Sequence, residues 1–308
     1  MHSQYTSNAY EGNVRWQPAK SLWFNFHLII SLTLAPFFFS WSSVGIFILL
    51  FVVTICLGHS LGIHRLLIHR SFCCPKWLEY TLVYIGTWVG MAGPIGMLVQ
   101  HDVRDWAQRQ PRCHDYFMHG ADLIKDAWWQ LNCDFRLAHA PRVVLEGRVG
   151  KDGFYTWLEK TWIWHQLMLA AILFAIGGLE WAVWGVSVRV TLSVGGHWLI
   201  SYFAHTCGES HWQIKGAAAQ GYNLRIAALL SMGESWHNNH HAYPNSALLG
   251  LLPGEHDPGW WVLLTLEKLG LVTHLNRPNL DTVREDLIYQ STTRQNGLRE
   301  ARYKSFTP

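Results

Sequence analysis

Three groups of histidines stand outside the apolar stretches of this chain at spacings that suit metal ligation. They are His64 and His69 in GIHRLLIHRSF, the lone His101 in VQHDVRDW, and His237, His240 and His241 in GESWHNNHHAYP. Neutral imidazole is a strong ligand for iron and zinc, and clustered imidazoles in an apolar chain are what a membrane-embedded non-haem metal centre requires. A helix presents residues i, i+3 and i+4 on one face, so the last group alone could hold a metal. The i, i+5 pair behaves differently. Five residues at about 100° each set His64 and His69 well apart around an α-helix, which suits ligands that reach different metals or straddle a helix end.

The elements that must position these residues are apolar. Half of the 308 residues are hydrophobic, 18 are Trp and only 15% are charged, the profile of a polytopic membrane protein. Four segments, 21–39, 41–62, 161–178 and 179–203, each approach the ~20 residues that cross a bilayer. Ser40 joins the first two and Gly177–Gly178 the last two, so both pairs read as hairpins. The expected fold is therefore an all-α integral membrane protein, a single domain over 1–308 with four transmembrane helices in two hairpins and a cytosolic helical cap carrying the histidines.

Charge sets the orientation. Of the 24 Lys and Arg, two precede the first hairpin, twelve lie between Ile63 and Lys160, nine follow Phe203, and only Arg189 falls inside a span. The positive-inside rule then places both termini and the long central region in the cytoplasm. No charge-flanked cleavable signal opens the chain, so the first span is expected to be retained. The six cysteines form no CxxC pair and are read as free thiols. A net charge of +3 gives no argument for nucleic acid. A fifth apolar run, Leu78–Val99, is long enough to cross, but crossing there would separate His64 and His69 from His101. Its Glu79 and the Gly93-Pro94 break favour a helix that lies in the interface or dips in and returns.

HRLLIHRSF, PKWLEYTLVYIGT, the GPI at Gly93–Ile95 and GESWHNNHHAYP together resemble the membrane fatty acyl desaturases of the acyl-CoA and cyanobacterial stearoyl type. The likeness runs from about Gly58 to Asp122 and from His197 to about Val272. In that family a first box HxxxxH, a second and third box HxxHH and a histidine closing the fourth span hold two irons. The resemblance implies that His64 and His69 form the first box, that His237, His240 and His241 form the third, and that His205 in SYFAH is the span-end ligand.

The second box departs from the pattern. With no gap from His69, His101 takes its first position and Arg104 and Asp105 the next two. Arginine stays protonated and offers no lone pair, whereas Asp105 can serve as a carboxylate ligand. A rival register needs nine extra residues and makes the box Gln110, Cys113 and His114. Seven imidazoles suffice for at least one metal. A second needs Asp105, or donors such as His114, His119, Cys113 or His197, to move in. Ser201 stands where the family has an asparagine that reaches a metal through water, and the basic residue expected after that span is replaced by HTCGESHW.

Other histidines have plainer readings. His27, His59 and His165 are read as hydrogen-bonded packing residues, and His197, two turns before His205 on the same face, as a supporting or substitute ligand. Arg189 is expected to snorkel or to pair with Glu180. The implied activity is an oxygen-dependent desaturase that places a cis double bond in a saturated acyl chain, using two irons, or one, and O2 as co-substrate. The implied partners are an acyl substrate on CoA, a carrier protein or a glycerolipid, and an external electron donor of ferredoxin or cytochrome b5 type, since the polar tail 281–308 is too short for a haem or flavin domain. The alternative is a desaturase-like membrane protein with an altered metal site that hydroxylates a lipid or binds one without chemistry.

Overall fold

A computed structural model of the protein describes residues 7–280 and 284–290. The polar tail expected over 281–308 lies mostly outside the described residues. The described chain is mostly helical, with β-structure confined to two short antiparallel pairs: β1 (Gly12–Trp16) with β2 (Cys133–Leu137), and β3 (Trp212–Ile214) with β4 (Leu287–Tyr289).

The helices follow the apolar pattern. Pro18 opens α1 (Pro18–Thr33) at a position where its missing N–H costs nothing. Ser40 caps α2 (Trp41–Val53), and the helix runs on without a break as a π-wound segment, Thr54–Ile68. Together these form a helix of 28 residues containing an 18-residue stretch with a mean hydropathy of 2.5, long and apolar enough to cross a membrane. A second such stretch, Gly153–Thr206, comprises α8 (Gly153–Ala182), a π-wound turn Val183–Val188 and α9 (Arg189–Thr206). Its backbone breaks at Gly177 and Gly178, the latter at φ 71°, a left-handed conformation that glycine adopts freely. Leu169 and Leu173 from before the break pack on Val186 from after it, so the chain reverses there.

The fifth apolar run splits in two, as its Gly-Pro break predicts. α3 (Lys76–Thr87) lies along the π-wound segment so closely that a Cβ on Gly62 would stand 2.4 Å from the Leu82 carbonyl oxygen. α4 (Pro94–Gln108) begins at Pro94, inside the run, and Glu159 of α8 accepts hydrogen bonds from the Ile95 and Gly96 amides at 2.9 and 3.0 Å. A carboxylate at a helix N-terminus satisfies orphan donors and opposes the dipole, so α8 anchors the helix that carries His101. Short helices follow: α5 (Asp115–Met118), α6 (Leu123–Asn132), α7 (Gly147–Gly150), α10 (His237–Ala242) and α11 (Pro258–Lys268).

Arg189 neither snorkels nor meets Glu180. Its guanidinium is buried and donates to the Gly185 and Trp88 carbonyls and to Gln166 Oε1, while Glu180 accepts from Ser40 and Ser42. Satisfying the charge with interior oxygens removes the need to reach water. His27 and His165 pack as expected, on Ser187 and Thr161 respectively.

Candidate metal centre

Seven histidines from four elements converge on two adjacent groups. His64, His69, His101 and His240 form the first and His205, His237 and His241 the second, with the candidate ligand atoms of each group within 4.8 Å of one another. Two features of this division differ from the sequence reading. His64 and His69 share one group because the helix is π-wound there: the His69 amide bonds the His64 carbonyl, five residues back, so one turn separates them instead of an α-helical 140°. His69 also caps the helix, so the pair straddles a helix end. The last group does not share one face. His237 and His241 lie one turn apart, edge to face, with ring centroids 4.4 Å apart, whereas His240 is turned toward His64 and His69 at 4.5 and 4.8 Å.

Several ring nitrogens in the first group have no hydrogen-bond partner among the described residues. His69 Nε2, His101 Nδ1 and His240 Nδ1 are buried without a hydrogen-bond partner. A buried polar atom left so costs about 1–3 kcal/mol, and three of them around one point fit a cation that would accept their lone pairs. His64 Nδ1 instead lies 2.6 Å from Glu234 Oε2, the carboxylate support typical of a ligating histidine. In the second group the His205 Nδ1 faces the Ser201 carbonyl, one turn back, at 2.7 Å, which fixes the proton on Nδ1 and puts the lone pair on Nε2, with the Gln108 amide nitrogen 2.8 Å away. That Nε2 lies 3.3 Å from His237 Nε2, which in turn is 2.9 Å from His241 Nε2. The imidazole donor set fits a borderline transition metal such as iron or zinc in both places.

The backbone around these rings is rigid. Asn238 donates to the Trp212 and Gly221 carbonyls and accepts from the His211 and Trp212 amides, and Asn239 donates to Leu249 O and Glu255 Oε2. The two asparagines inside HNNHH therefore clamp the short α10 from below while its histidines face inward. Arg65, buried at 1% exposure, joins the helix of His64 to the segments before and after α10 through the Met232 carbonyl at 3.2 Å and Asp257 at 2.9 Å.

The second box shows what its unusual residues do. Asp105 lies between the groups, 3.9 Å from His101 Nδ1. Burial opposes its charge, but His101, His241, His69 and Arg109 outweigh that and hold its carboxyl below the usual range. Arg104 turns away from both groups. Its Nη1 donates to the Phe117 carbonyl and lies 3.2 Å from His119 Nε2, and its Nη2 donates to Gln130 Oε1. It therefore hydrogen-bonds no acidic residue among the described ones, and holds the loop that carries His119.

The rival register is not assembled. Cys113 packs near Ala9 and Phe135, burial raises its thiol pKa to about 12, and Gln110 bonds the Trp106 carbonyl. His114 accepts from the Tyr116 amide and lies against Phe135 at 4.3 Å, so aromatic packing and a cap occupy it. His197 enters neither group. Two turns along the helix axis carry it past His205 to face His59, at 4.9 Å, and His59 in turn stacks on His64 instead of merely packing among apolar residues. Ser201 Oγ bonds His119 Nε2 at 2.8 Å. The sequence reading missed Gln108, whose Nε2 lies 2.8 Å from His205 Nε2; one turn beyond Arg104 on α4, only helical periodicity pointed to it.

Burial keeps the His241 pKa down to about 4 although Asp105 pulls it up, and burial likewise holds His237 and His240 well below the ordinary imidazole value. A histidine whose folded pKa lies below its unfolded value of about 6.5 stabilises the fold above that pH and loses the contribution as pH falls through the folded value. For His241 the window is about 6.5 to 4 and the contribution roughly 3 kcal/mol. Thermal melts of metal-free protein in detergent should fall steeply across this range, and a flat profile would contradict neutral, buried imidazoles.

No family model matches the chain. Individual proteins do. It is 36% identical over 245 residues to an sn-1 stearoyl-lipid 9-desaturase of Anabaena variabilis, covering 78% of this chain and 86% of that protein. It is 32% identical over 250 residues to an acyl-CoA 5-desaturase of Anemone leveillei, covering 80% and 75% respectively. A chloroplastic palmitoyl-monogalactosyldiacylglycerol delta-7 desaturase of Arabidopsis thaliana is 34% identical over 256 residues, 80% of this chain and 65% of its own. The histidine-lined, helical architecture and these relatives place the chain in the fatty acyl desaturase family. It is an oxidoreductase acting on acyl chains.

Proposed function

We propose that the protein is an oxygen-dependent acyl desaturase of four membrane spans whose two histidine groups hold two irons on the cytoplasmic side. The observation that carries this reading is the convergence of seven imidazoles from four elements on two adjacent points, with three buried ring nitrogens left unpartnered at the first. His64, His69, His101 and His240 hold one iron, with Asp105 as a carboxylate donor; His205, His237 and His241 hold the other. Iron so held supplies the activation of dioxygen that removal of two hydrogens from neighbouring methylenes requires. The chain's own residues do the rest. Glu234 orients His64, Asn238 and Asn239 fix α10, and the apolar spans keep water from the acyl chain so that one pair of carbons is presented. The substrate is an acyl chain on CoA or a lipid, as in the names of its relatives, and electrons come from a separate donor of ferredoxin or cytochrome b5 type.

The topology has a direct test. Cysteines placed at Ser40 and Gly178 should label from outside in intact cells and one at Gln100 should not; external labelling at 100 would break the shared-site arrangement. Asp105 has another. Asp105→Ala should bind the first iron about 10–100-fold more weakly and Asp105→His should bind it normally, because imidazole restores a donor on the same helix face. Equal iron affinity in both variants would remove Asp105 from the coordination sphere.

A further inference from the structure

The second group holds three imidazoles where the first holds four, and Arg104, which stands at the position of the missing donor, points elsewhere. What it points at is the loop of His119. That histidine is 2% exposed, and its Nδ1 lies 2.8 Å from Asp126 Oδ2. Asp126 is itself fully buried and accepts from Trp198 Nε1 at 2.9 Å and from Gln130 Nε2. A carboxylate on Nδ1 fixes the proton there, so Nε2 carries a lone pair. A carboxylate behind an imidazole is the support that ligating histidines commonly have. The His119 ring lies 5.2 Å from that of His205, inside the 4.4–5.4 Å that separates the three rings of the second group. Among the described residues, only the Ser201 hydroxyl, at 2.8 Å, and Arg104 Nη1 face that lone pair.

We propose that His119 is the fourth histidine of the second metal site, taking the coordination place that Arg104 leaves vacant. Nε2 exchanges the Ser201 hydroxyl for the metal, while Asp126 holds the ring and Arg104 keeps its loop in place through the Phe117 carbonyl. The inference rests on reading His205, His237 and His241 as a metal site, and it is specific to this chain because it follows from the arginine at 104.

Iron per chain, measured after anaerobic reconstitution with ferrous iron in detergent, tests it without any need for substrate. Wild-type protein should hold two equivalents and His119→Ala one. Asp126→Asn should weaken the second iron about 10–100-fold. Adding Arg104→His to His119→Ala should restore two equivalents, an outcome that a misfolded variant could not give. Ser201→Ala should keep both irons. Two equivalents in His119→Ala would overturn the proposal, as would a single equivalent in wild type. Loss of an iron in Ser201→Ala but not in His119→Ala would overturn it too, by assigning the place to the hydroxyl. The underlying reading fails separately: His241→Ala would then also leave the count unchanged.

Discussion

Replacing His241 by alanine should leave no more than one iron per chain and lower the rate of double-bond formation at least about a thousandfold. His241 is one of the three imidazoles that already converge in the second group, its Nε2 is 2.9 Å from that of His237, and no other face of the six-residue α10 can present a replacement. A metal contributes several kcal/mol to the chemistry it supports, and each 1.36 kcal/mol is a factor of ten. His240→Ala should do the same to the first group, since His240 faces the opposite way from His241. Iron analysis and product formation together check both variants; full activity in either would take α10 out of the mechanism.

The second large effect is on stability. Arg65→Ala should destabilise the protein by about 3–5 kcal/mol, because it strips the partner from Asp257 and from the side of Glu234 that faces it. Asp257 and Glu234 would remain buried with uncompensated charge, and the helix bearing His64 would lose its tie to the Met232 carbonyl. Arg65→Lys should recover part of the loss, since lysine keeps the charge but not the fork of donors. Thermal unfolding in detergent measures it, and a loss within 1 kcal/mol would show that the buried pair does not join these segments.

Much of this centre was readable from residue types. The histidines that converge are the seven that motif and spacing single out, and Gly93-Pro94 splits the fifth apolar run where its residues predict. What could not be read was rotation and reach. Nothing in the letters of TICLGHSLGIHRLLI announces π-winding, which brings His69 back over His64, and an α-helical wheel therefore misplaced the pair. The HNNHH string gives one helix face by periodicity, yet a helix of six residues can offer His240 to one partner and His241 to another. Arg104 and His119 are fifteen residues apart, and only a turn held through the Phe117 carbonyl makes them neighbours. Arg189 shows the same limit: a charge inside an apolar span looks for water or an acid on paper, and in the fold it finds carbonyls and Gln166.

The measurement that bears most directly on the account is the acyl-chain profile of a desaturase-deficient host expressing this chain together with a reducing partner. The account predicts a new cis-monounsaturated acyl chain that requires oxygen and disappears in His241→Ala. An unchanged profile from well-folded, iron-loaded wild-type protein supplied with electrons would contradict it.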